Sequence, residues 1–579
     1  MEKREIVQRI KEYCSHEAHP DFVQEIEELV RNEAWEELSD RFYRELDFGT
    51  GGLRGLIGGG TNRMNPLTVK KATTGLAYYV KKHGGENPSA AIAYDSRRYS
   101  SLFAEQAALV FCTLGIRTYL FTSLRPTPVL SYAVRKLGCD TGIVITASHN
   151  PPEYNGYKVY WNDGGQIVPP HDRGIIDQVR DVKENIQLMP KQEAEAKGLL
   201  TYIDREIDEP YFEMIKSYIT RPELIKDLGP SVKIVYTPLH GTGAVPVERV
   251  FGELGIPIIT VPEQREPDGD FPTVEYPNPE EASAMEMALA LGRKEKADIV
   301  MGTDPDSDRF GIAVPDGDDY VLISGNQLGA LLCDYILRTK AEKKILPASP
   351  VVVKTIVTTE LQRLIAESYG AECIDVLTGF KYIGEKMGQF EKTGQTYVFG
   401  GEESYGFLVE TEIRDKDAVS AAVLTAEMTL WNLRQKRSVL DHLHELYRKH
   451  GCFKEILLSK GFKGQQGFDQ MQAIMTRLRE DPPVSIGGSK VFVIKDYQSG
   501  ESTNIKTGEK SKIQLPISNV LQFVLENRSI VTIRPSGTEP KVKFYASSRT
   551  EAGIDPKEGL VLVSGAIEAI VEDIDRLIS

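Results

Sequence analysis

One pattern constrains the fold of this chain more than any other: four to six apolar residues run into a polar loop rich in Gly or Pro. It recurs from about residue 90 onward, as AIAYDSRR, GIVITASHNP, KIVYTPLHGTG, DIVMGTDPDSDR, VVVKTIVTT, TYVFGGEESYG and IVTIRPSGTEP. Stretches of helical periodicity lie between these runs, for example 105–114, 282–291 and 326–339. Alternating strands and helices predict parallel sheets covered on both faces. Each polar loop then lies at the carboxyl end of a strand, where open α/β sheets place their binding sites.

The length of 579 residues exceeds what one hydrophobic core supports and predicts about three to five domains. Apolar residues at helical spacing predict helices from residue 2 to about 46, ahead of the first strand. Charged and Gly-rich stretches indicate boundaries that give four segments, 1–205, 206–320, 321–450 and 451–579. The segment 463–515, rich in Gly, Lys and Ser, is expected to hold loops.

Composition narrows the class of protein. Hydrophobic residues make up 41% and charged residues 26%, as in globular proteins, and 69 basic against 84 acidic residues give a net charge of −15. This acidity argues against nucleic-acid binding but permits a local cationic site for an anionic small molecule. The charged N-terminus lacks the apolar core of a signal peptide, and no apolar run is long enough to span a bilayer. Six Cys without CxxC spacing indicate free thiols, so we expect a cytoplasmic protein without a membrane partner.

The loop after the run GIVIT carries the strongest candidate for a reactive side chain. Residues 143–145 are β-branched and predict a buried strand that delivers Ser148 to its end. His149 follows directly, and Pro151-Pro152 prevent continuation into a helix. The hydroxyl is therefore a candidate nucleophile or phosphate carrier. A Ser/Asn turn that merely closes a strand is the structural alternative.

The segment TDPDSDR gives the strongest metal signal. Asp304, Asp306 and Asp308 alternate, so in an extended backbone their carboxylates project to one side and can share a cation. Oxygen ligands without Cys or His favour Mg²⁺ or Ca²⁺ over zinc. An EF-hand is excluded because its sixth and twelfth positions, normally Gly and Glu, are Arg309 and Pro315. An acidic surface turn is the alternative.

The segment RPSGTEP predicts an anion-binding turn. Arg534 offers a bidentate fork, and Ser536, Gly537 and Thr538 supply hydroxyl and backbone N–H donors. This density of donors favours phosphate binding over an ordinary turn.

Two further loops carry polar side chains on glycine-rich backbone. In GGEESYG, Glu402 and Ser404 suit sugar hydroxyls, although a solvated acidic loop has the same composition. The segment FGTGGLRGLIGGG fails the GxGxxG dinucleotide pattern because Arg54 occupies the position of the third glycine in the pattern. Its glycines indicate either a backbone that approaches a ligand closely, with Arg54 as a charged contact, or a flexible turn.

Four of these motifs, taken together and in order, resemble one known family. TASHNP, DPDSDR, GEESYG and RPSGTEP are similar to the four loops that define the α-D-phosphohexomutase superfamily. FGTGGLRG, LTGFKYIG and IRDKDAVS further resemble its phosphoglucomutase and phosphopentomutase branch. The resemblance covers residues 48–545. It departs from mannomutase-type relatives, whose sugar loop GEMSGH ends in a His where this chain has Gly406. It implies an α/β architecture of four domains around a central cleft: three similar mixed-sheet α/β domains and a smaller α+β C-terminal domain.

The resemblance also implies residue roles. Ser148 is the expected phosphoserine, and one Mg²⁺ per chain is held by Ser148, Asp304, Asp306 and Asp308. Lys158 matches the family's proposed general base, His149 is its rival, and Arg309 is a second positive contact. The implied substrate-binding residues are Arg54, Lys354, Gly379, Lys381, Glu402, Ser404, Lys416, Arg534, Ser536, Gly537 and Thr538. For the lysines among them, solvated surface positions are the alternative. A pKa lowered towards neutrality is the hypothesis for Lys158.

The implied activity is the Mg²⁺-dependent interconversion of glucose 1-phosphate and glucose 6-phosphate. It proceeds through phospho-Ser148, with glucose 1,6-bisphosphate as intermediate and activator. Alternatives are phosphopentomutase or phosphomannomutase activity and, from another class, a sugar-phosphate-binding regulator without catalysis. The expected partner is a small phosphosugar, and the expected state is a monomer or weak dimer.

Overall fold

The computed structural model describes residues 3–183, 186–409, 411–462, 464–536 and 541–578. The chain forms two compact units. The first unit comprises Met1–Leu328, Phe380–Gly400 and Ser404–Lys436, and the second comprises Gly329–Gly379, Gly401–Glu403 and Arg437–Ser579. Among the described residues, the helices include none with the length and apolarity that a bilayer crossing requires.

Three helices precede the first strand, as the helical periodicity predicts. They are α1 (Lys3–His16), α2 (Pro20–Arg31) and α3 (Trp35–Phe42). Their apolar faces share a small core that includes Ile10, Ile26 and Phe42. These helices are packing elements of the first unit.

The first sheet of the chain is mixed. Its strands are β1 (Gly52–Leu56), β2 (Ser89–Tyr94), β3 (Arg117–Phe121), β4 (Thr141–Ile145), β5 (Tyr154–Trp161) and β6 (Leu200–Ile203), in the order β1-β5-β4-β2-β3-β6. The helices along this stretch are α4 (Pro66–His83), α5 (Ser100–Thr113), α6 (Thr127–Leu137), α7 (His171–Asp181) and α8 (Lys191–Ala196). β2, β3, β4 and β6 pair in parallel, whereas β5 is antiparallel to β1 and β4. Val144 of β4 faces Lys158 of β5 in register, so the strand that delivers Ser148 lies beside the one that carries Lys158.

The second sheet is also mixed. Its strands are β7 (Ile234–Thr237), β8 (Ile258–Thr260), β9 (Ile299–Thr303), β10 (Phe310–Asp316) and β11 (Asp319–Ile323), in the order β11-β10-β9-β7-β8. The helices here are α9 (Arg205–Ser217), α10 (Pro222–Leu228), a 3-10 turn (Gly229–Ser231), α11 (Ala244–Glu253), α12 (Pro262–Arg265) and α13 (Ala282–Glu295). The three aspartates lie in the connection between β9 and the antiparallel β10. Because Asp316 and Asp319 close the β10–β11 hairpin, the boundary predicted at 320 falls inside one sheet.

A third stretch alternates helices and strands. Its elements are α14 (Gly325–Glu342), β12 (Pro350–Thr355), α15 (Glu360–Ser368), β13 (Glu372–Val376), α16 (Phe380–Thr393), β14 (Thr396–Glu402), β15 (Gly406–Leu408), α17 (Ala418–Arg434) and α18 (Val439–His450). Within the second unit, β12 and β13 pair in parallel. α17 is buried along most of its length in the first unit because its residues are almost all small or apolar.

The C-terminal stretch has a different topology. Its strands β16 (Phe453–Gly461), β18 (Ser489–Asp496), β19 (Glu501–Asn504), β20 (Lys510–Lys512), β21 (Leu521–Leu525), β22 (Ile530–Pro535) and β23 (Lys541–Arg549) form one antiparallel sheet, and β17 (Ser485–Ile486) pairs with β18. α19 (Gly464–Glu480) and α20 (Pro556–Ile578) share its core, for example through Met475 and Ile570. The expectation of loops over 463–515 is wrong, because α19 and β17 to β20 occupy this segment.

Candidate active site

Two loops of the first unit, distant in sequence, meet at the candidate nucleophile. Ser148 lies in the loop after β4, and its hydroxyl donates a hydrogen bond to Asp304 Oδ2 over 2.7 Å. The side chain is buried, with 3% of the residue exposed. The structure therefore brings the predicted nucleophile onto the predicted metal ligands, 156 residues away along the chain.

The backbone around Ser148 is strained and is held by one arginine. Ser148 has a left-handed φ of 52°, which is unfavourable for a residue with a Cβ. The Arg97 guanidinium donates to the Ser148 carbonyl over 2.6 Å, to the Pro151 and Tyr154 carbonyls over 2.8 and 3.0 Å, and to the Asn150 carbonyl. Four carbonyls converging on one cation fix the shape of the loop.

Sequence reasoning missed the role of Arg97. Its guanidinium also pairs with Asp95, 3.4 Å away, and both side chains are fully buried. The segment AIAYDSRR contained the signal, because β2 and β4 are parallel neighbours and their carboxyl ends meet at one edge of the sheet. Charged residues at the end of β2 were therefore candidates to support the Ser148 loop.

The three aspartates form one buried cluster. Oxygens of Asp304, Asp306 and Asp308 all lie within 4.8 Å of one another. They are not in an extended strand, as the alternation suggested, but in a tight turn in which Ser307 has a φ of 52°. The turn folds around Asp304, whose Oδ1 accepts from the N–H groups of Asp308 and Arg309 over 3.1 and 3.0 Å. The three carboxylates lie together, as predicted, but the extended backbone given as the reason is wrong.

Two lysines contact this cluster. Lys158 Nζ lies 2.7 Å from Asp306 Oδ2 and 3.1 Å from Asp308 Oδ2, and Lys416 Nζ lies 3.2 Å from Asp308 Oδ2. The Thr127 hydroxyl, at the start of α6, donates to Asp306 Oδ2 over 2.8 Å. Neither lysine is a solvated surface residue.

The charges of the cluster are not balanced. Burial, together with Asp306 and Asp308, raises the pKa of Asp304 well above its usual range. Burial also acts to raise the pKa of Asp308, but Lys158 and Lys416 outweigh it and hold that pKa below its usual range. Three carboxylates thus face two ammonium groups, which leaves excess negative charge in a buried place.

Two carboxylate oxygens point to the missing charge. Among the described residues, Asp306 Oδ1 and Asp308 Oδ1 are buried and have no hydrogen-bond donor. A buried acceptor without a partner is costly, and two of them beside a third carboxylate suit a divalent cation. Oxygen-only ligands favour Mg²⁺ over the softer transition metals. The residues present therefore fit the expected ion.

The two candidate bases differ in their electrostatics. Burial acts to lower the pKa of Lys158, but Asp306 and Asp308 outweigh it, so the pKa is raised. The hypothesis of a pKa lowered towards neutrality is wrong for this arrangement of charges. Burial and the cations Arg309 and Arg54 hold the pKa of His149 well below its usual range, so its imidazole is neutral. His149 Nδ1 lies 3.2 Å from the Ser148 hydroxyl.

The two other predicted arginines, Arg309 and Arg54, lie near the same loops. Arg309 Nη1 donates to Glu280 over 2.6 Å, and its pairing keeps the side chain mostly buried. Arg54, on β1, is exposed and donates to Asn150 Oδ1 over 3.3 Å. Arg54 therefore lies beside the Ser148 loop.

The glycines around Arg54 are explained by packing within the chain. A Cβ at Gly52 would lie 1.7 Å from the Tyr157 carbonyl oxygen of the neighbouring strand. A Cβ at Gly59 would lie 2.5 Å from the Phe22 carbonyl oxygen of α2, and Gly59 N–H donates to Glu25 over 2.7 Å. These contacts, rather than a ligand, require glycine at both positions.

Lys416 is positioned by its own surroundings. Asp415 Oδ1 lies 3.1 Å from Lys416 Nζ, while Asp415 Oδ2 accepts from Tyr160 over 2.6 Å and from Gln166 over 2.7 Å. A Cβ at Gly406 would lie 2.0 Å from Lys416 Cδ. Gly406 thus leaves the space through which Lys416 reaches Asp308, which gives a physical reason for glycine at this position.

Two other predicted residues of the first unit lie elsewhere. Lys381 Nζ donates to the Thr50 carbonyl over 3.1 Å, in the glycine-rich stretch before Arg54. Ser404 is half-buried in the turn between β14 and β15. The structure does not place either of them on the aspartate cluster.

The second unit contains the other predicted substrate-binding residues. Lys354 is fully buried and pairs with Glu360 over 2.6 Å and Asp375 over 2.9 Å, so it is an internal ion-pair residue rather than a solvated one. Gly379 N–H donates to Glu402 Oε1 over 2.9 Å. At the end of β22 lie Arg534 and Ser536, both half-buried. Gly537 and Thr538 lie outside the described residues.

Comparisons with known proteins identify the family of this chain. The models of the phosphoglucomutase/phosphomannomutase family match the chain in three consecutive segments: α/β/α domain I at residues 45–186, domain II at 209–317 and domain III at 324–450. A phosphoglucomutase from Staphylococcus epidermidis is 35% identical over 526 residues, which cover 90% of this chain and 94% of that protein. A phosphoglucomutase from Staphylococcus aureus is 35% identical over 520 residues, covering 88% and 91%.

A solved structure supports the fold. The exocytosis-sensitive phosphoprotein pp63/parafusin, a phosphoglucomutase from Paramecium, superposes with a TM-score of 0.69 at 17% identity, covering 92% of this chain and 96% of its own. Three α/β domains and a β-rich C-terminal domain are thereby confirmed as the fold class. The chain belongs to the phosphoglucomutase/phosphomannomutase family, as the resemblance of its motifs indicated. Both of these relatives are named phosphoglucomutase, and the comparisons do not favour the pentose or mannose alternatives.

Proposed function

We propose that this chain interconverts glucose 1-phosphate and glucose 6-phosphate by passing a phosphoryl group through Ser148. The observation that carries the proposal is the hydrogen bond from the Ser148 hydroxyl to Asp304 within a buried carboxylate cluster that has excess negative charge. A phosphoryl carrier needs a hydroxyl beside a bound cation, and here a hydroxyl lies beside three carboxylates that could hold one. The 35% identity to curated phosphoglucomutases supports the choice of a hexose.

The reaction comprises two phosphoryl transfers. In the first, the bond between phosphorus and Ser148 Oγ breaks and a bond to the free sugar hydroxyl forms, while the hydroxyl proton passes to a base of the chain. In the second, the bond between the other phosphorus of the resulting glucose 1,6-bisphosphate and its sugar oxygen breaks and a bond to Ser148 Oγ forms, while the freed sugar oxygen takes a proton back from the base. Both steps require the acceptor oxygen to lie in line with the leaving oxygen, so positioning is the main task of the protein.

The aspartates would hold one Mg²⁺, and the lysines would contribute positive charge and, for Lys158, a candidate base. Asp304, Asp306 and Asp308 are the proposed protein ligands, with the phosphorylated Ser148 completing the set. When bound, Mg²⁺ supplies charge neutralisation at the transferring phosphoryl group. Lys158 and Lys416 then face carboxylates whose charge is shared with the cation. Lys158 is one proposed base, and neutral His149, beside the Ser148 hydroxyl, is the other.

Substrate recognition is proposed for the remaining polar loops. Arg534, Ser536, Gly537 and Thr538 would bind the phosphate that is not being transferred, because this set combines a guanidinium with hydroxyl and N–H donors. Glu402 and Ser404 would bind sugar hydroxyls, with Gly379 orienting Glu402 through its N–H group. Arg54, Arg309 and Lys381 would add positive charge. Lys354 is assigned a structural role instead, since its ammonium is already paired with two carboxylates.

Several coarser expectations complete the proposal. Glucose 1,6-bisphosphate would act as activator by phosphorylating Ser148, and the chain would act as a monomer or weak dimer. Six Cys without disulfides support a reducing compartment, and we propose the cytoplasm. The four domains would divide near 205, just beyond the β10–β11 hairpin, and near 450.

Intact mass provides the first test. Wild-type chain purified without phosphatase treatment should carry the mass of one phosphoryl group on a fraction of molecules. Ser148→Ala should lack this adduct, and Ser217→Ala, an exposed serine on α9, should keep it. An adduct that persists in Ser148→Ala would contradict the proposed carrier.

The substrate is tested separately by kinetics. Values of kcat/KM for glucose 1-phosphate, mannose 1-phosphate and ribose 1-phosphate, each with a trace of the matching bisphosphate, should be highest for glucose. A preference for ribose would overturn the substrate and leave the phosphoserine chemistry intact.

A further inference from the structure

The segment KIVYTPLHGTG contains a turn that the proposed mechanism leaves without a role. It runs from Leu239 to Gly243, between β7 and α11, and is called the 239–243 turn below. Leu239 and His240 both adopt left-handed φ values, 46° and 60°. Two consecutive left-handed residues with side chains are unfavourable and persist only where surrounding contacts over-determine them.

The turn is bonded directly to the metal-binding loop. The Thr242 N–H donates to the Pro305 carbonyl over 2.7 Å. The Thr242 hydroxyl lies 3.0 Å from the Ser307 hydroxyl, and both are buried. Pro305 and Ser307 are the two residues that alternate with the three aspartates, so these bonds act on the backbone from which the carboxylates project.

The two glycines of the turn allow this contact. A Cβ at Gly241 would lie 2.3 Å from Pro305 Cα. A Cβ at Gly243 would lie 2.5 Å from the Thr303 hydroxyl and 2.8 Å from the Ser307 hydroxyl. Gly243 has an ordinary φ of −75°, so its backbone conformation accepts any residue and only the close approach requires glycine.

The turn is also fixed from behind. His240 N–H donates to the Gln264 carbonyl over 3.0 Å, and Gln264 Oε1 accepts from the Thr237 hydroxyl over 2.6 Å. His240 Nε2 lies 2.8 Å from the Thr273 hydroxyl. The turn is therefore held by hydrogen bonds to residues 264–273 on one side and packs against the metal-binding loop on the other.

We propose that the 239–243 turn positions the metal-binding loop and thereby sets its affinity for the cation without contacting the cation. Thr242 is the central positioning residue, and Gly241 and Gly243 are required for its approach. The inference rests on the proposed binding of Mg²⁺ by the three aspartates. It extends that proposal by placing part of the affinity in residues outside the ligand set.

The test measures the dissociation constant for Mg²⁺ itself. Full-length variants are titrated with MgCl₂ by calorimetry, without sugar phosphate, on preparations matched by intact mass for phosphorylation of Ser148. Thr242→Val keeps the shape of the side chain and removes its hydroxyl, so the dissociation constant should rise roughly three- to tenfold. Thr242→Ser retains the hydroxyl and should stay close to wild type. Gly243→Ala should raise the constant by about tenfold or more, because its Cβ displaces the loop.

A matched control separates positioning from loss of stability. Thr429→Val removes an equally buried hydroxyl from α17, where it donates to the Thr425 carbonyl of the same helix. It should lower the melting temperature as Thr242→Val does and leave the Mg²⁺ affinity unchanged. If Gly243→Ala fails to fold, the Thr242 pair still decides the question.

The outcomes distinguish this inference from the proposed function. Wild-type affinity in folded Thr242→Val would overturn the inference and leave the proposed function standing. The same holds if Thr429→Val weakens Mg²⁺ binding as much as Thr242→Val. A wild-type chain that binds no Mg²⁺ while still carrying phosphate on Ser148 would overturn both the metal assignment and the inference.

Discussion

Two buried lysine clusters, one in each unit, show how the proposed active site differs from an internal group of ion pairs. In the first unit, Lys158 and Lys416 contact Asp306 and Asp308. In the second, Lys354 contacts Glu360 and Asp375, which also pair with Arg363 over 2.8 and 2.6 Å. Both combine buried lysines with carboxylates at hydrogen-bonding distance.

The charges of the two clusters differ. In the second unit, two cations face two carboxylates: burial acts to raise the pKa of Glu360, but Lys354 and Arg363 outweigh it and hold the pKa at about 2. In the first unit, three carboxylates share two ammonium groups, and the pKa of Asp304 is raised instead. The raised pKa of Asp304 reflects a cluster with more carboxylates than cations, which could accept a further cation, whereas the lowered pKa of Glu360 reflects a cluster with equal numbers of both.

The largest expected effect is on activity, from Asp304→Asn. The amide keeps the shape of the side chain but removes a charge that the aspartate cluster would need to hold the proposed cation, so kcat/KM for glucose 1-phosphate should fall at least about a thousandfold. The change also relieves repulsion from Asp306 and Asp308, so the urea midpoint measured in EDTA should stay equal to wild type or rise. A variant that keeps its activity, or that unfolds at much lower urea, would remove the distinction between the clusters.

Lys354→Met should have the opposite profile. It leaves Glu360 and Asp375 without their buried partner, and the free energy of unfolding should fall by about 2 to 3 kcal/mol, as measured by urea denaturation. At a temperature where the variant is folded, its kcat should stay within about threefold of wild type, because Lys354 acts through stability. A large fall in kcat at unchanged stability would indicate that Lys354 contacts the substrate after all.

Gly406→Ala tests whether the first cluster needs its second lysine. The added Cβ would overlap Lys416 Cδ and displace its ammonium from Asp308, so kcat/KM should fall roughly ten- to a hundredfold. Gly388→Ala is the control, since a Cβ at this position on α16 meets no atom within 4 Å. Equal activity of the two variants would show that Lys416 is not required where the structure places it.

The smallest expected effect is on the pH dependence of stability. With its raised pKa, folded Asp304 binds a proton that the unfolded chain releases, so above pH 4 or so the stability of the protein in EDTA should fall as pH rises. The melting temperature of wild type should therefore decrease relative to Asp304→Asn as the pH rises above about 5.

Glu360 should show the reverse dependence. Its pKa is lowered from 4.5 to about 2, so its contribution is present above pH 4.5 and is lost as pH falls towards 2. Relative to Glu360→Gln, wild type should lose melting temperature on acidification. If the melting-temperature difference between wild type and variant changed with pH in the same direction for Asp304 and Glu360, the comparison of the two clusters would be contradicted.

The sequence predicted what depends on local pattern. Runs of β-branched residues ending in polar loops identified the strands and placed Ser148 and the three aspartates at strand ends. Motif resemblance then supplied the family, which the comparisons confirm. The strand predictions require only residues that are close together in the sequence, and the family assignment requires only known sequences with the same motifs.

What the sequence did not predict depends on contacts between distant segments. Three contacts are set by which strands become neighbours. They are the hydrogen bonds from Arg97 to four carbonyls, the ion pairs of Lys354 and the space that Gly406 leaves for Lys416. The raised pKa of Lys158 likewise follows from two carboxylates about 150 residues away. The antiparallel strands within 463–515 were missed because their residues are mostly half-buried or exposed and lack a clear apolar alternation.

The glycines at 58–60 have a consequence for how this chain can be shortened. Matching to the family begins only at residue 45, which makes α1 to α3 look like a removable appendage. Yet Gly59 packs against the Phe22 carbonyl, and Arg41 donates to the Gly59 carbonyl over 3.1 Å. Truncation at residue 44 would strip the cover from three successive glycines next to the strand that bears Arg54, where backbone freedom is greatest. The helices α1 to α3 thus stabilise the backbone next to β1.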